Sequence, residues 1–195
     1  MAGKGEKMQK DDDAGQYLTE RDVLRLTKEA LDQGRTKQQV FEELSPRFYS
    51  KEHLAQLIST IPEVELRKTY RGTNQALVVV MVLAGASHLV LLLLTVHSKG
   101  RSAFTLFNPV IALLVVFLTR RIYQMSGGVY VPVGLLSLIG VLDTIGLVPT
   151  NPLWSLVDIA LFITTAILSF HVGGHLFPHR GWIGPLKDEN GNYLL

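Results

Sequence analysis

Residues 72–98, GTNQALVVVMVLAGASHLVLLLLTVHS, carry no formal charge and decide the fold class. A helix advances about 1.5 Å per residue, so about 20 apolar residues cross the hydrocarbon of a bilayer with every backbone polar group paired inside the helix. Three further long apolar stretches follow before residue 173. The sequence therefore predicts an all-α, polytopic membrane protein.

Charge divides the 195-residue chain into two parts. Residues 1–74 contain 13 of the 19 Lys and Arg residues and 13 of the 17 Asp and Glu residues. We therefore expect a charge-rich soluble segment followed by a membrane domain with little chain outside the bilayer. The absence of cysteine excludes disulfides and thiolate chemistry. A net charge of only +2, without a basic stripe, argues against a nucleic-acid partner.

The soluble segment predicts a small helical module. Residues 1–16 have almost no apolar content, so we expect a disordered tail there. Residues 17–62 predict a cytoplasmic module of three helices, because Thr19, Thr36 and Ser50 are N-cap signals that each precede an apolar stripe. The three predicted helices end at Gly34, Pro46 and Pro62.

A four-helix transmembrane domain is predicted for residues 75–172, after a polar juxtamembrane connector at residues 63–74. The predicted membrane helices occupy about 75–96, 103–120, 129–148 and 153–172. Short connections force sequence neighbours to run antiparallel, so the simplest architecture is an up-down four-helix bundle. Residues 173–195 form a predicted cytoplasmic tail, in which Asn190-Gly191 is a hairpin signal.

Lys and Arg in the short connections predict that both chain termini are cytoplasmic. With the N-terminus inside, the inner flanks carry seven basic residues and the outer flanks carry only Lys99 and Arg101. Compact loops and the lack of a targeting signal favour a bacterial inner membrane. Five aromatic residues then fall near an interface and are predicted to act there as membrane anchors: Tyr70, Tyr123, Tyr130, Trp154 and Trp182.

One polar layer is predicted inside the membrane domain. His88, Asn108, Asp143 and Asp158 each come from a different predicted helix and lie about 8–12 Å below its outer end. A membrane-buried carboxylate is costly unless it is paired, neutralised or hydrated, so both aspartates are expected to face the bundle interior. The layer could handle protons or cations, could act as a general acid/base pair, or could serve only to hydrogen-bond neighbouring helices.

A second cluster comprises His171, His175 and His179. Their four-residue spacing would place them on one face of an unbroken helix, where imidazoles can bind zinc. The glycine pair at residues 173–174 and Pro178 interrupt that helix, so interfacial histidines at a helix end are the competing interpretation.

No stretch of the chain carries a catalytic fingerprint, and no cofactor is predicted. The leading hypothesis is a non-enzymatic membrane scaffold, assembly factor or accessory subunit that presents the helical module to a protein partner. An oligomeric proton or cation transporter or channel subunit that uses the polar layer is the alternative. A metal-dependent intramembrane hydrolase is a third hypothesis. The expected partners are the lipid bilayer and either another protein or further copies of this chain.

Overall fold

The computed structural model describes residues 17–99, 108–181 and 184–195, with the side chains of 92, 95–99 and 108–113 outside the described part. Within these residues the chain is helical, with isolated β-bridges and no β-strand, so the all-α fold class is confirmed. The helices are α1 (Glu20–Asp32), α2 (Lys37–Leu44), α3 (Lys51–Ser59), α4 (Val64–Thr69), α5 (Arg71–Lys99), α6 (Asn108–Tyr123), α7 (Tyr130–Ile145) and α8 (Pro152–Leu176). The disordered tail expected at residues 1–16 and the predicted anchor Trp182 lie outside the described residues.

Helices α1–α3 form the predicted N-terminal module, and its three N-caps are confirmed. The side chains of Thr19 and Ser50 accept hydrogen bonds from the backbone N–H three residues later, and Thr36 forms a reciprocal capping box with Gln39. Gly34 ends the first helical segment with a φ of 83°, a conformation that glycine adopts without steric cost. The buried apolar core of the module consists of Val23, Ala30, Val40, Leu44, Phe48, Leu54 and Ile58.

The C-terminal residues fold back onto this module. The predicted turn at Asn190-Gly191 is present, and an antiparallel bridge between Lys187 and Tyr193 closes it. The ring of Tyr193 packs edge-on against Phe41, with 5.7 Å between centroids, and Leu195 packs against the module core. The last residues of the chain are therefore part of the folded module.

The module is also bonded to the turn between α6 and α7 and to the segment after α8. The backbone N–H of Gly127 donates to the carbonyl of Thr60 at 2.9 Å. Arg180 Nη1 donates to the hydroxyl of Ser59 at 3.3 Å. Burial lowers the pKa of nearby Lys37, an effect that Glu63 partly offsets. These contacts fix the orientation of the module on one end of the helix bundle.

Side chains at alternating three- and four-residue intervals line the faces along which α5, α7 and α8 pack. This 3.5-residue spacing is the pattern of helices that cross at small angles with interlocking side chains. Helix α5 packs against α6 and α8, and α7 packs against α8. The seam residues are Asn74, Leu77, Met81, Ala84, His88 and Leu91 on α5; Tyr130, Val133, Ser137 and Thr144 on α7; and Ser155, Asp158, Phe162, Thr165, Ser169, Val172 and Leu176 on α8.

Glycines bring α7 and α8 into close contact. A Cβ at Gly134 would lie 2.6 Å from the ring of Phe170, and one at Gly140 would lie 2.9 Å from the ring of Phe162. Here the glycine is on α8 and the aromatic residue on α7: a Cβ at Gly173 would lie 2.7 Å from the Cβ of Tyr130. At each of these positions an aromatic residue occupies the space that a larger side chain would need.

Two helical segments, Arg71–Leu91 and Pro152–Leu176, are long and apolar enough to cross a membrane. Helix α7 has 16 residues, fewer than expected, because the chain leaves the helix at Gly146 and continues in turns to Thr150. All four helices α5–α8 nevertheless expose large apolar side chains. Examples are Val79, Val82, Leu93, Val116, Phe117, Ile139, Leu142, Leu153, Leu156 and Ile167.

Adjacent glycines on α8 test the close packing of α7 and α8. We expect Gly173→Ala to lower the free energy of unfolding in detergent by about 1–3 kcal/mol, because the new methyl overlaps Tyr130. Gly174→Ala is the matched control: nothing lies within 4 Å of its Cβ position, so it should be neutral or stabilising by up to about 1 kcal/mol. Equal effects of the two substitutions, measured by denaturant titration, would contradict this packing.

Candidate functional site

A buried histidine–aspartate pair joins α5 to α8. The Nδ1 atom of His88 lies 2.7 Å from Oδ2 of Asp158. The Asp158 side chain has no exposed surface, and that of His88 is 13% exposed. A buried carboxylate requires a partner, and His88 provides one from the neighbouring helix.

Helix α7 contributes a third polar group to this pair. The Thr144 hydroxyl lies 3.3 Å from Asp158 Oδ2 and 2.9 Å from the carbonyl of Gly140 on its own helix. The ring of Phe162 stands edge-on to His88, with 5.5 Å between centroids, and closes one side of the site. Since Phe162 also packs against Gly140, the glycine contact that brings α7 and α8 together also brings Thr144 to the pair.

The other carboxylate oxygen, Asp158 Oδ1, is buried without a hydrogen-bond partner among the described residues. The hydroxyls of Ser87 and Ser155 are buried and without a partner within the same part of the chain. Ser87 precedes His88 on α5, and Ser155 lies almost one turn before Asp158 on α8. Asp158 Oδ1 therefore retains acceptor capacity beyond the bond between His88 and Asp158.

The polar layer expected from four helices is formed only in part. Asp143 is exposed, so the expectation that it faces the interior is wrong. The next residue, Thr144, is the one on the α7 seam, and successive residues on a helix point about 100° apart. The side chain of Asn108 lies outside the described part.

Seam spacing is the signal that could have identified Thr144. On α7 the intervals from Tyr130 to Val133, Ser137, Gly140 and Thr144 alternate between three and four residues. Asp143 falls off this pattern. The charge of Asp143 favours a buried, paired role, whereas the period of the helix around it places Thr144 on the seam.

A second buried polar network lies at the end of the bundle nearer the module. The Tyr130 hydroxyl donates to Oδ1 of Asn74 at 2.7 Å, and Nδ2 of Asn74 donates to the carbonyl of Ile122 at 2.9 Å. The Ser169 hydroxyl donates to the carbonyl of Tyr130 at 2.6 Å. Asn74 thus links α5 to both α6 and α7, a role that no local sequence signal indicates.

Of the predicted interfacial aromatic residues, Tyr130 is placed differently from the expectation. It is 1% exposed and belongs to the bundle core, because its hydroxyl has a partner there. Tyr123 and Trp154 are 67% and 42% exposed. Tyr70 packs partly against the core and contacts the rings of His171 and His175.

The three clustered histidines do not converge on one point. The rings of His171 and His175 lie 4.4 Å apart, and His175 Nδ1 is 2.8 Å from the carbonyl of His171. His179 follows the end of α8, beyond Pro178. Within residues 17–99, 108–181 and 184–195, no three His, Cys, Asp or Glu side chains come close enough to hold a metal ion.

The geometry of His88 and Asp158 suits a proton held between two buried groups. An imidazolium at His88 would form a charge-assisted hydrogen bond with the Asp158 carboxylate, and transfer of its Nδ1 proton to Asp158 would leave both groups neutral. No family model, curated protein or solved structure matches the chain.

Removal of one partner tests the energetic coupling of the pair. We expect His88→Leu to lower the free energy of unfolding by about 3 kcal/mol, because Asp158 would remain buried without its main partner. The double variant His88→Leu/Asp158→Leu should recover most of that loss, since neither polar group remains. Asp143→Leu is the control on the exposed face and should change stability by about 0.5 kcal/mol or less. If the effects of His88→Leu and Asp158→Leu, measured separately, summed to the effect of the double variant, the two side chains would not be coupled.

Proposed function

We propose that helices α5–α8 form a four-span membrane domain with both chain termini in the cytoplasm, in a bacterial inner membrane. Three observations support this placement: two segments long enough to span, apolar side chains exposed on all four helices, and Lys and Arg concentrated at the module end. Helix α7 has 16 residues and is about 24 Å long. Local bilayer thinning accommodates a span that is a few ångströms short.

Within this placement, the proposed role is that of a non-enzymatic scaffold, assembly factor or accessory subunit that presents the α1–α3 module to a cytoplasmic protein. The observation that carries this proposal is the fixed junction between module and bundle. The bonds from Gly127 to Thr60 and from Arg180 to Ser59, with the docked C-terminal residues, hold the module in one orientation. A module with its own core and a defined orientation offers a partner a preorganised surface, which lowers the entropy cost of binding.

Single-cysteine variants test the membrane placement, because the natural chain contains no cysteine. We expect Tyr49→Cys on the module and Glu189→Cys in the tail to react with a membrane-impermeant thiol reagent only in inverted vesicles. Thr150→Cys, in the turn between α7 and α8, should react in intact cells. Reaction of Tyr49→Cys and Glu189→Cys from opposite sides would exclude the proposed topology.

The same Tyr49→Cys chain, carrying a photoreactive group, tests the scaffold role in native membranes. Tyr49 is 65% exposed, so the substitution leaves the module core intact. We expect one discrete protein adduct that is absent from Thr150→Cys and is lost when Leu54→Asp disrupts the module core. Adducts with lipid alone, or adducts that persist in the Leu54→Asp chain, would argue against a specific partner.

A second candidate function, proton or cation handling, is favoured by the buried pair of His88 and Asp158. A membrane-buried ionisable pair is expensive to maintain and is frequently functional. Four helices rarely enclose a pathway alone, so this candidate implies a homo-oligomer.

Flux measurements in proteoliposomes separate this candidate from a purely structural pair. We expect Asp158→Asn to reduce pH-driven proton flux to the level of empty vesicles, because the amide cannot take up a proton. Asp143→Asn makes the same chemical change on the exposed face and should leave flux unchanged. Absence of flux in the natural protein, or equal flux in both variants, would rule this candidate out.

A further inference from the structure

A cleft of about 740 Å³ lies between the module and the end of the helix bundle nearest to it. Its walls include residues from α1, α4 and α5 and from the turn that follows α6. Neither the module nor the bundle alone contains this cleft, which depends on the fixed junction between them.

Five cationic side chains line the cleft: Lys28, Arg67, Lys68, Arg71 and Arg121. The carboxylate among the lining residues, Glu20, already lies 2.9 Å from His53 Nε2. The lining therefore carries a clear excess of positive charge, which favours an anionic occupant.

Several of these cationic side chains have no acidic partner among the described residues. Within the described part of the chain, no carboxylate lies within ion-pair distance of Lys28, Arg71 or Arg121. Arg67 approaches Asp32 at 3.6 Å through Nη1, but its buried Nη2 has no hydrogen-bond partner there. Lys28, Arg71 and Arg121 therefore leave charged N–H donors at the cleft that suit an oxygen-rich anion.

The position of the cleft along the bundle indicates where such an anion would come from. Arg71 is the first residue of α5, so the positive end of that helix's backbone dipole lies at the cleft. Arg121 lies in the last turn of α6. The apolar run of α5 begins at Ala76 and that of α6 ends at Leu118, each within about one and a half turns of these arginines. This puts the cleft at the level of lipid headgroups in the proposed membrane placement.

We propose that this cleft binds the phosphate of an anionic phospholipid headgroup from the cytoplasmic leaflet. Arginine provides paired N–H donors that match phosphate oxygens, and the neighbouring apolar helix surface accommodates the acyl chains. The lipid source of the phosphate rests on the proposed membrane placement, whereas the affinity of the cleft for phosphate-bearing anions follows from its lining.

Native mass spectrometry of the full chain in detergent tests this proposal with dihexanoyl-phosphatidylglycerol as the probe. Phosphatidylcholine of the same chain length and inorganic phosphate are the comparison ligands. We expect one phosphatidylglycerol to bind about tenfold more tightly than either comparison ligand. Arg71→Gln and Arg121→Gln should each weaken phosphatidylglycerol binding about tenfold, since each removes a charge-assisted contact.

Arg120→Gln is the matched control, because Arg120 is exposed on the same turn as Arg121 and does not line the cleft. Should a glutamine variant lose its helical circular dichroism, Arg71→Lys and Arg121→Lys replace it, and each lysine should retain part of the binding. Equal effects of Arg120→Gln and Arg121→Gln would overturn the proposal, as would equal binding of the two lipids. Binding of inorganic phosphate as tight as that of phosphatidylglycerol would identify a soluble ligand and would overturn the lipid assignment.

These outcomes are separable from failure of the proposed function. Thiol labelling that placed the module outside the cell would remove the cytoplasmic scaffold but would leave binding in detergent unchanged. Conversely, loss of lipid selectivity would remove the headgroup site while the labelling pattern and the photo-adduct persisted.

Discussion

The alternation of three- and four-residue intervals along α5, α7 and α8 is the constraint on which the rest of the structure depends. It determines which side chains can meet, and it brings the polar groups of different helices to common levels. Gly134, Gly140 and Gly173 then allow α7 and α8 to approach closely, and an aromatic residue packs against each of these glycines. This close approach places Thr144 beside Asp158 and the carbonyl of Tyr130 beside Ser169.

Local signals in the sequence were sufficient for the helical module but insufficient for the polar site. A cap at Thr36 is specified by residues three positions away, so its geometry can be predicted without knowledge of the fold. Which of Asp143 and Thr144 faces inward depends on the rotation of α7 against α8, which tertiary packing decides. The charge of Asp143 favours a buried role. Because Asp143 is exposed near the end of α7, however, its carboxylate incurs no desolvation cost. Asp158 does incur that cost, and its bond to His88 offsets it.

The junction between module and bundle also could not be predicted from sequence patterns. Its contacts join residues far apart in the chain, such as Ser59 with Arg180, and no local pattern encodes them. The expected polar connector is largely helical, since α4 and the start of α5 occupy it. A helical connector fixes the orientation of the module relative to the bundle, whereas a flexible connector would not. The cleft between module and bundle exists only because that orientation is fixed.

Several hydroxyl groups within the bundle donate to a carbonyl four residues earlier on their own helix, as those of Ser137, Thr164 and Thr165 do. Such groups impose nothing on neighbouring helices. Asn74 and His88 differ, because each bonds to another helix, and they lie 14 residues apart on α5. At 1.5 Å per residue they hold α5 at two levels about 21 Å apart. A single polar contact would leave α5 free to pivot about that contact. Two polar contacts on nearly the same face of the helix fix both its rotation and its tilt. The pair of His88 and Asp158 therefore has a structural role whether or not it also carries a proton.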